Sequence, residues 1–113
     1  MYQVTSNYVI EEQTLVNGDK KIILKMEYGS GWVNINDESF NPNDLDKDRL
    51  VISDYSWEDY SFEDNDGVVF ESEDENLVEE LEEIFEENYY EGLEEAGWSE
   101  EDTVVTFIGY EIS

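Results

Sequence analysis

Histidine and cysteine are absent from this 113-residue chain, proline occurs once, and only 5 Lys and Arg stand against 32 Asp and Glu. Each absence excludes chemistry. Without cysteine there is no disulfide framework, thiolate nucleophile, zinc ribbon or iron–sulfur ligand set. Without histidine the commonest general base and the commonest transition-metal ligand are both missing. No stretch approaches the ~18 apolar residues that a membrane span needs. The segment Met1 to Ile10 has neither a basic nor an apolar region of the kind that opens a secretory signal. The expectation is a soluble cytoplasmic protein with no cofactor and no membrane association.

What is present argues for a folded core. With 39% apolar and 14% aromatic residues the chain is too greasy for a disordered acidic tail, and its length suits a single domain spanning 1–113. The charge is unevenly spread. Residues 1–50 hold all five bases (Lys20, Lys21, Lys25, Lys47, Arg49) and nine acids, for a charge of −4. Residues 51–113 hold the other 23 acids and no base, for −23. A surface that only needs solubility mixes both signs, because a one-signed field repels itself and destabilises the compact state. The second half therefore needs a further reason for its composition.

The hydrophobic pattern predicts an α+β fold. Tyr8–Ile10 and Thr14–Val16 lead into Asn17-Gly18, a type I′ hairpin signal, and Lys21–Tyr28 return with Ile22, Leu24, Met26 and Tyr28 on one face. Gly29-Ser30-Gly31 breaks the pattern before a short third strand, Trp32–Asn36, with Val33 and Ile35 on one side. Asp37–Arg49 is a loop around Asn41-Pro42-Asn43. Leu50 opens a strand that places Val51, Ser53, Tyr55 and Trp57 on one face, slips phase at Glu58-Asp59, and continues through Tyr60 and Phe62. Asp64–Gly67 is a turn, and Val68–Glu71 its return strand. In 75–96, Leu77, Leu81, Ile84, Phe85 and Leu93 build the apolar stripe of an amphipathic helix, capped by Asp74 or by an Asn76/Glu79 box and stopped by Gly97. Thr103–Ile112 form the last strand. The expected architecture is an antiparallel sheet of about five to six strands with one acidic amphipathic helix packed on it.

Catalysis and dedicated metal binding both fare poorly. Carboxylate pairs can hydrolyse glycosides, but 32 acids place some pair at any distance by chance, and a chain this short has little room for a cleft. Asp44, Asp46 and Asp48 have the early spacing of a calcium loop, but Arg49 stands where glycine is required and Tyr55 where glutamate is required. A second candidate, from Phe62 to Glu73, begins on a residue that cannot coordinate calcium. The expectation is a non-enzymatic protein with no catalytic and no metal residues.

The helix acids work against helix stability. Glu75, Glu79, Glu82, Glu83, Glu86, Glu87, Glu91 and Glu95 include the i,i+4 pairs 75–79, 79–83, 82–86, 83–87, 87–91 and 91–95. Each like-charge pair costs about 0.2–0.5 kcal/mol, and those in the last turns also oppose the helix dipole. Together they sacrifice on the order of 1–3 kcal/mol. A solvated polar face explains why these residues are charged, but not why none is Lys or Arg. Imitation of phosphates does. Duplex DNA carries one charge per ~1.7 Å of axis, and carboxylates one helical turn apart stand ~5.4 Å from each other, close to the step between phosphates on one strand. The acidic aromatic run Asp54–Asp64 either adds apolar anchors beside the charges or packs its rings on the sheet. Salt adaptation, the rival explanation, fits less well. Nine Asn, eight Ile and eight Tyr belong to AT-rich codons, as does Lys, which is nevertheless scarce here.

In size, α+β pattern and acidity the chain resembles the phage-encoded DNA-mimic proteins, a functional class that includes inhibitors of restriction enzymes, uracil-DNA glycosylase and CRISPR effectors. Gly92-Leu-Glu-Glu-Ala-Gly97-Trp98 followed by Phe107-Ile-Gly109-Tyr110 also resembles small uncharacterised proteins of tailed phages, over about a fifth of the chain. The resemblance implies an inhibitor that occupies the DNA- or RNA-binding site of a host protein: a nuclease, repair enzyme, polymerase or effector complex. It would not bind nucleic acid itself. The partner-binding candidates are Glu75, Glu79, Glu82, Glu83, Glu86, Glu87, Glu91, Glu94 and Glu95, with Asp54, Glu58, Asp59, Glu63 and Asp64 as a second patch. The alternative is an acidic adaptor gripping a basic or apolar patch unrelated to nucleic acid.

Overall fold

The computed structural model describes residues 2–44, 48–53 and 57–113, with backbone only for Trp57, Glu58 and Asp66. The described residues form β1 (Tyr2–Ser6), β2 (Tyr8–Asn17), β3 (Lys20–Ile35), a 3-10 turn (Pro42–Asp44), β4 (Arg49–Ile52), β5 (Trp57–Glu71), α1 (Glu75–Glu95), β6 (Ser99–Ile108) and β7 (Glu111–Ile112). The strand order is β4-β6-β2-β3-β1-β7, and β5 also pairs with β3. This is the expected α+β class, an antiparallel sheet with one helix packed on it, built from seven strands among the described residues. No helix among them is long and apolar enough to cross a membrane.

The chain divides into two compact units. The first comprises Met1–Glu11, Met26–Gly67 and Val104–Ser113; the second comprises Glu12–Lys25 and Val68–Thr103. In the first unit Val4, Val9, Val33, Ile35, Phe40, Leu50, Ile52, Val105 and Phe107 form the buried core. Alternation selects them: every second residue of β4 and of the ends of β3 and β6 points inward. In β4 the inward pair is Leu50 and Ile52, so Val51, on the face followed in the sequence, is 45% exposed. Tyr55 lies outside the described residues. In the second unit Leu15, Ile22, Leu24, Phe70, Leu77, Leu81, Leu93 and Trp98 are buried, and the Phe70 and Phe85 rings meet edge-on at 5.7 Å.

Several local expectations are corrected, and glycine is the common cause. The first hairpin turns on Gly18-Asp19, not Asn17-Gly18. Gly18 alone has positive φ (61°), the pattern of a Gly-first two-residue turn. Asn17 stays in β2, and its side-chain amide donates to the Ala96 carbonyl at 3.1 Å. At Gly29-Ser30-Gly31 the strand does not stop. Burial moves from even residues (22, 24, 26) to odd ones (31, 33, 35), so the segment is a slip of phase within one 16-residue strand. Gly31 is needed there for space: a Cβ would stand 2.8 Å from both Phe62 Cδ1 and Val9 Cγ2. We expect Gly31→Ala to cost about 1–3 kcal/mol through overpacking. Gly67→Ala, where nothing lies within 4 Å, should be near neutral. Urea midpoints of the two variants check this.

Asp64–Gly67 likewise does not reverse the chain. β5 runs through it for 15 residues, with Asp64 at φ 59° and the Gly67 amide donating to Asn65 Oδ1 at 3.1 Å. Turn chemistry here bends a strand instead of ending it. The final strand is interrupted at Gly109 (φ 62°), which separates β6 from β7. In the polar loop, the Ser39 hydroxyl and amide both donate to Asp37 Oδ1, at 2.7 and 2.9 Å, and hold the Asp37 carboxyl below its usual range. That contribution is present above the ordinary carboxylate pKa and is lost as pH falls through the lowered one.

Candidate functional site

Helix α1 carries most of the candidate residues, and it is fixed at both ends. Asp74 is the N-cap, its carboxylate accepting from the amides of Asn76 (3.0 Å) and Leu77 (3.3 Å). The Asn76/Glu79 box does not form the cap, because Asn76 is already inside the first turn and its amide is bound by Asp74. At the other end Gly97 (φ 98°) donates to the Glu94 carbonyl at 3.0 Å and Trp98 to Leu93 at 2.9 Å, the paired bonds of a Schellman stop. Leu93 and Trp98 are both buried and line the same cavity.

Between the caps the helix is not continuous. Tyr89 sits at φ 53°, ψ −138°, outside the helical region and outside what a residue with a Cβ adopts without strain. The pair 87–91 therefore straddles a kink and is not an i,i+4 helical pair. The other five expected pairs lie wholly before or after it.

The kink makes a sign-reversing expectation. Alanine normally stabilises a helix by about 1 kcal/mol over glycine. At position 89 the order should invert, with Tyr89→Gly more stable than Tyr89→Ala by about 1 kcal/mol or more, since only glycine relaxes a positive φ. Both variants lose the same ring contact with Phe85 (5.6 Å), so the difference isolates the backbone. Urea unfolding of the two proteins decides it, and the usual order would mean that no strain is stored there.

Every candidate glutamate on α1 is exposed. At 100° per residue, Glu75, Glu79, Glu82, Glu83, Glu86 and Glu87 fall within an arc of about 140°, opposite buried Leu77 and Leu81. Glu91, Glu94 and Glu95 follow the kink. Two lysines of β3 reach acids of the second half, Lys21 to Glu101 at 3.2 Å and Lys25 to Glu71 at 3.9 Å. Neither acid is on the helix. Among the described residues no helix glutamate takes part in an ion pair. The face is one-signed in three dimensions as well as in sequence.

The second patch is assembled only in part. Asp59, Glu63 and Asp64 are exposed on β5; the Glu58 side chain and Asp54 lie outside the described residues. These positions belong to the first unit and the helix acids to the second. Of the nearby rings, Phe62 packs against Tyr28 (5.2 Å) and Phe107 (6.0 Å), whereas Tyr60 is 55% exposed. The calcium-loop candidates do not gain support: Asp46 lies outside the described residues, and Phe62–Glu71 is strand.

Sequence reasoning missed an aromatic feature of the helix itself. Tyr89 and Tyr90, 66% and 42% exposed, both make T-shaped ring contacts with Phe85, at 5.6 and 5.5 Å. A signal was available, since helical phase puts Tyr90 among the glutamates and not on the apolar stripe. Tyr90 also borders a cavity of about 390 Å³ shared with Leu15, Leu93, Trp98, Glu94 and Glu100. No protein-family model, no curated protein and no solved structure matches the chain.

Proposed function

We propose that this protein is a non-enzymatic inhibitor that imitates the charge of a nucleic-acid backbone and occupies the DNA- or RNA-binding site of another protein. The observation that carries the reading is the exposed glutamate face of α1, unpaired by any base among the described residues and backed by buried leucines. A groove evolved for phosphates meets a comparable row of anions one helical turn apart. The caps at Asp74 and Gly97 hold that row in place before binding, which lowers the ordering cost of association. The partner class is a nuclease, repair enzyme, polymerase or effector complex of a bacterial host, and the setting is phage counter-defence or host take-over in the cytoplasm.

A second reading, an acidic adaptor, draws on Tyr90 and the apolar cavity beside it, which would hold an aliphatic or aromatic anchor of a partner. Capture from a nuclease-treated bacterial lysate, washed at ~0.1 and ~0.5 M salt, separates the two. The inhibitor reading expects nucleic-acid-binding enzymes that duplex DNA displaces and high salt releases. Retention at ~0.5 M salt, with no effect of DNA, would support the adaptor instead.

A further inference from the structure

We propose that the first unit contains a binding site for a guanidinium group, separate from the glutamate helix and sharing only Glu63 with the second candidate patch. A cleft of about 420 Å³ opens among β1, β3, β5 and the β6–β7 turn, all within that unit. Its chemistry is set by three residues that the sheet register brings into one row. Thr5 pairs with Trp32 on β3 and with Glu111 on β7. Directly opposed residues share a face, so the indole, the hydroxyl and the carboxylate stand side by side across three strands. Strands lie ~4.8 Å apart, which leaves ~10 Å between the first and the last of the row. Glu63, from β5, lines the same cleft.

Two carboxylates, an indole and no basic side chain among the lining residues define a site for a cation. The indole narrows the choice. A guanidinium is planar and weakly hydrated, stacks on an aromatic face, and offers a fork of donors that an ammonium ion lacks. One such group can lie over Trp32 while donating to Glu63 or Glu111. Ser6 also lines the cleft, but it is buried, its one hydroxyl proton lies between the carbonyls of Tyr8 and Ile108, and its oxygen accepts from the Tyr8 amide.

The guanidinium could belong to a free metabolite or to an arginine side chain of a polypeptide. Amide NMR titrations with agmatine and with a blocked Gly-Arg-Gly peptide separate these sources. The site predicts saturable shifts centred on residues 5, 32, 63 and 111. Equal affinity for both probes assigns the site to arginine side chains, and preference for agmatine assigns it to a small molecule. Glu63→Gln and Glu111→Gln, both at exposed positions that leave the fold intact, should each weaken binding about fivefold. The neutral isostere citrulline should produce no saturable shift. The proposal is overturned by shifts that grow without saturation across the helix acids, which would be counter-ion condensation. Equal binding of citrulline, or unchanged affinity in the double Gln variant, overturns it as well.

Discussion

Replacing Glu79, Glu83, Glu86 and Glu87 by lysine is expected to weaken partner binding at least about 100-fold, a loss of ~2.7 kcal/mol, while making the protein more stable. The two effects have different origins. Binding fails because four attractive contacts with a basic groove become four repulsive ones. Stability rises because the pairs 75–79 and 82–86 turn from repulsive to attractive, for about 1–2 kcal/mol in all. The pairs 79–83 and 83–87 stay like-charged, which limits the gain. Lysines 86 and 87 would also suit the negative end of the dipole better than glutamates do. The formal charge falls in magnitude from −27 to −19, two units per substitution, so general self-repulsion eases too. Thermal unfolding at low salt reads the stability and partner titration reads the binding. A variant more stable yet fully able to bind would show that this face is not the contact surface.

Leu81→Ala is expected to act in the opposite sense on stability, with no change in charge. Leu81 is 0% exposed and stands on the helix face opposite the glutamates. Removing its side chain loses burial and leaves a cavity, at a cost of about 2–5 kcal/mol. A small domain has little more than that to lose. In urea the midpoint should drop with the slope nearly unchanged, because the surface exposed on unfolding is almost the same. Where the variant is still folded, its glutamates remain in place and binding should be retained. A cost below ~0.5 kcal/mol would mean that α1 does not dock through this stripe.

Much of this fold was legible because its signals are periodic. Two-residue alternation marked the strands, and Leu77, Leu81 and Leu93 marked the helix and its buried side. The errors fall where one residue type serves two purposes. Glycine at 29 and 31 reads as a chain break, but Gly31 is there because Phe62 and Val9 leave no room for a Cβ. Asp64–Gly67 has the composition of a reversal, yet it lies within β5, whose partner β3 is distant in sequence. Asn17-Gly18 pointed to the right hairpin but to the wrong pair of turn residues.

The candidate site was legible as composition and less so as geometry. That the helix acids are solvated follows from the stripe of leucines opposite them. The kink at Tyr89 does not follow, since nothing in Asn88-Tyr89-Tyr90 requires a positive φ; it divides what periodicity presents as one continuous row. Lysine pairing to Glu71 and Glu101 was equally hidden, because those contacts bring β3 against acids more than forty residues away.

The most direct measurement is equilibrium competition between this protein and duplex DNA for the captured partner. If the glutamate face occupies the nucleic-acid site, the apparent Kd for the protein rises in proportion to DNA concentration once DNA exceeds its own Kd, and no ternary complex forms. An apparent Kd that stays constant while DNA saturates the partner would contradict the account.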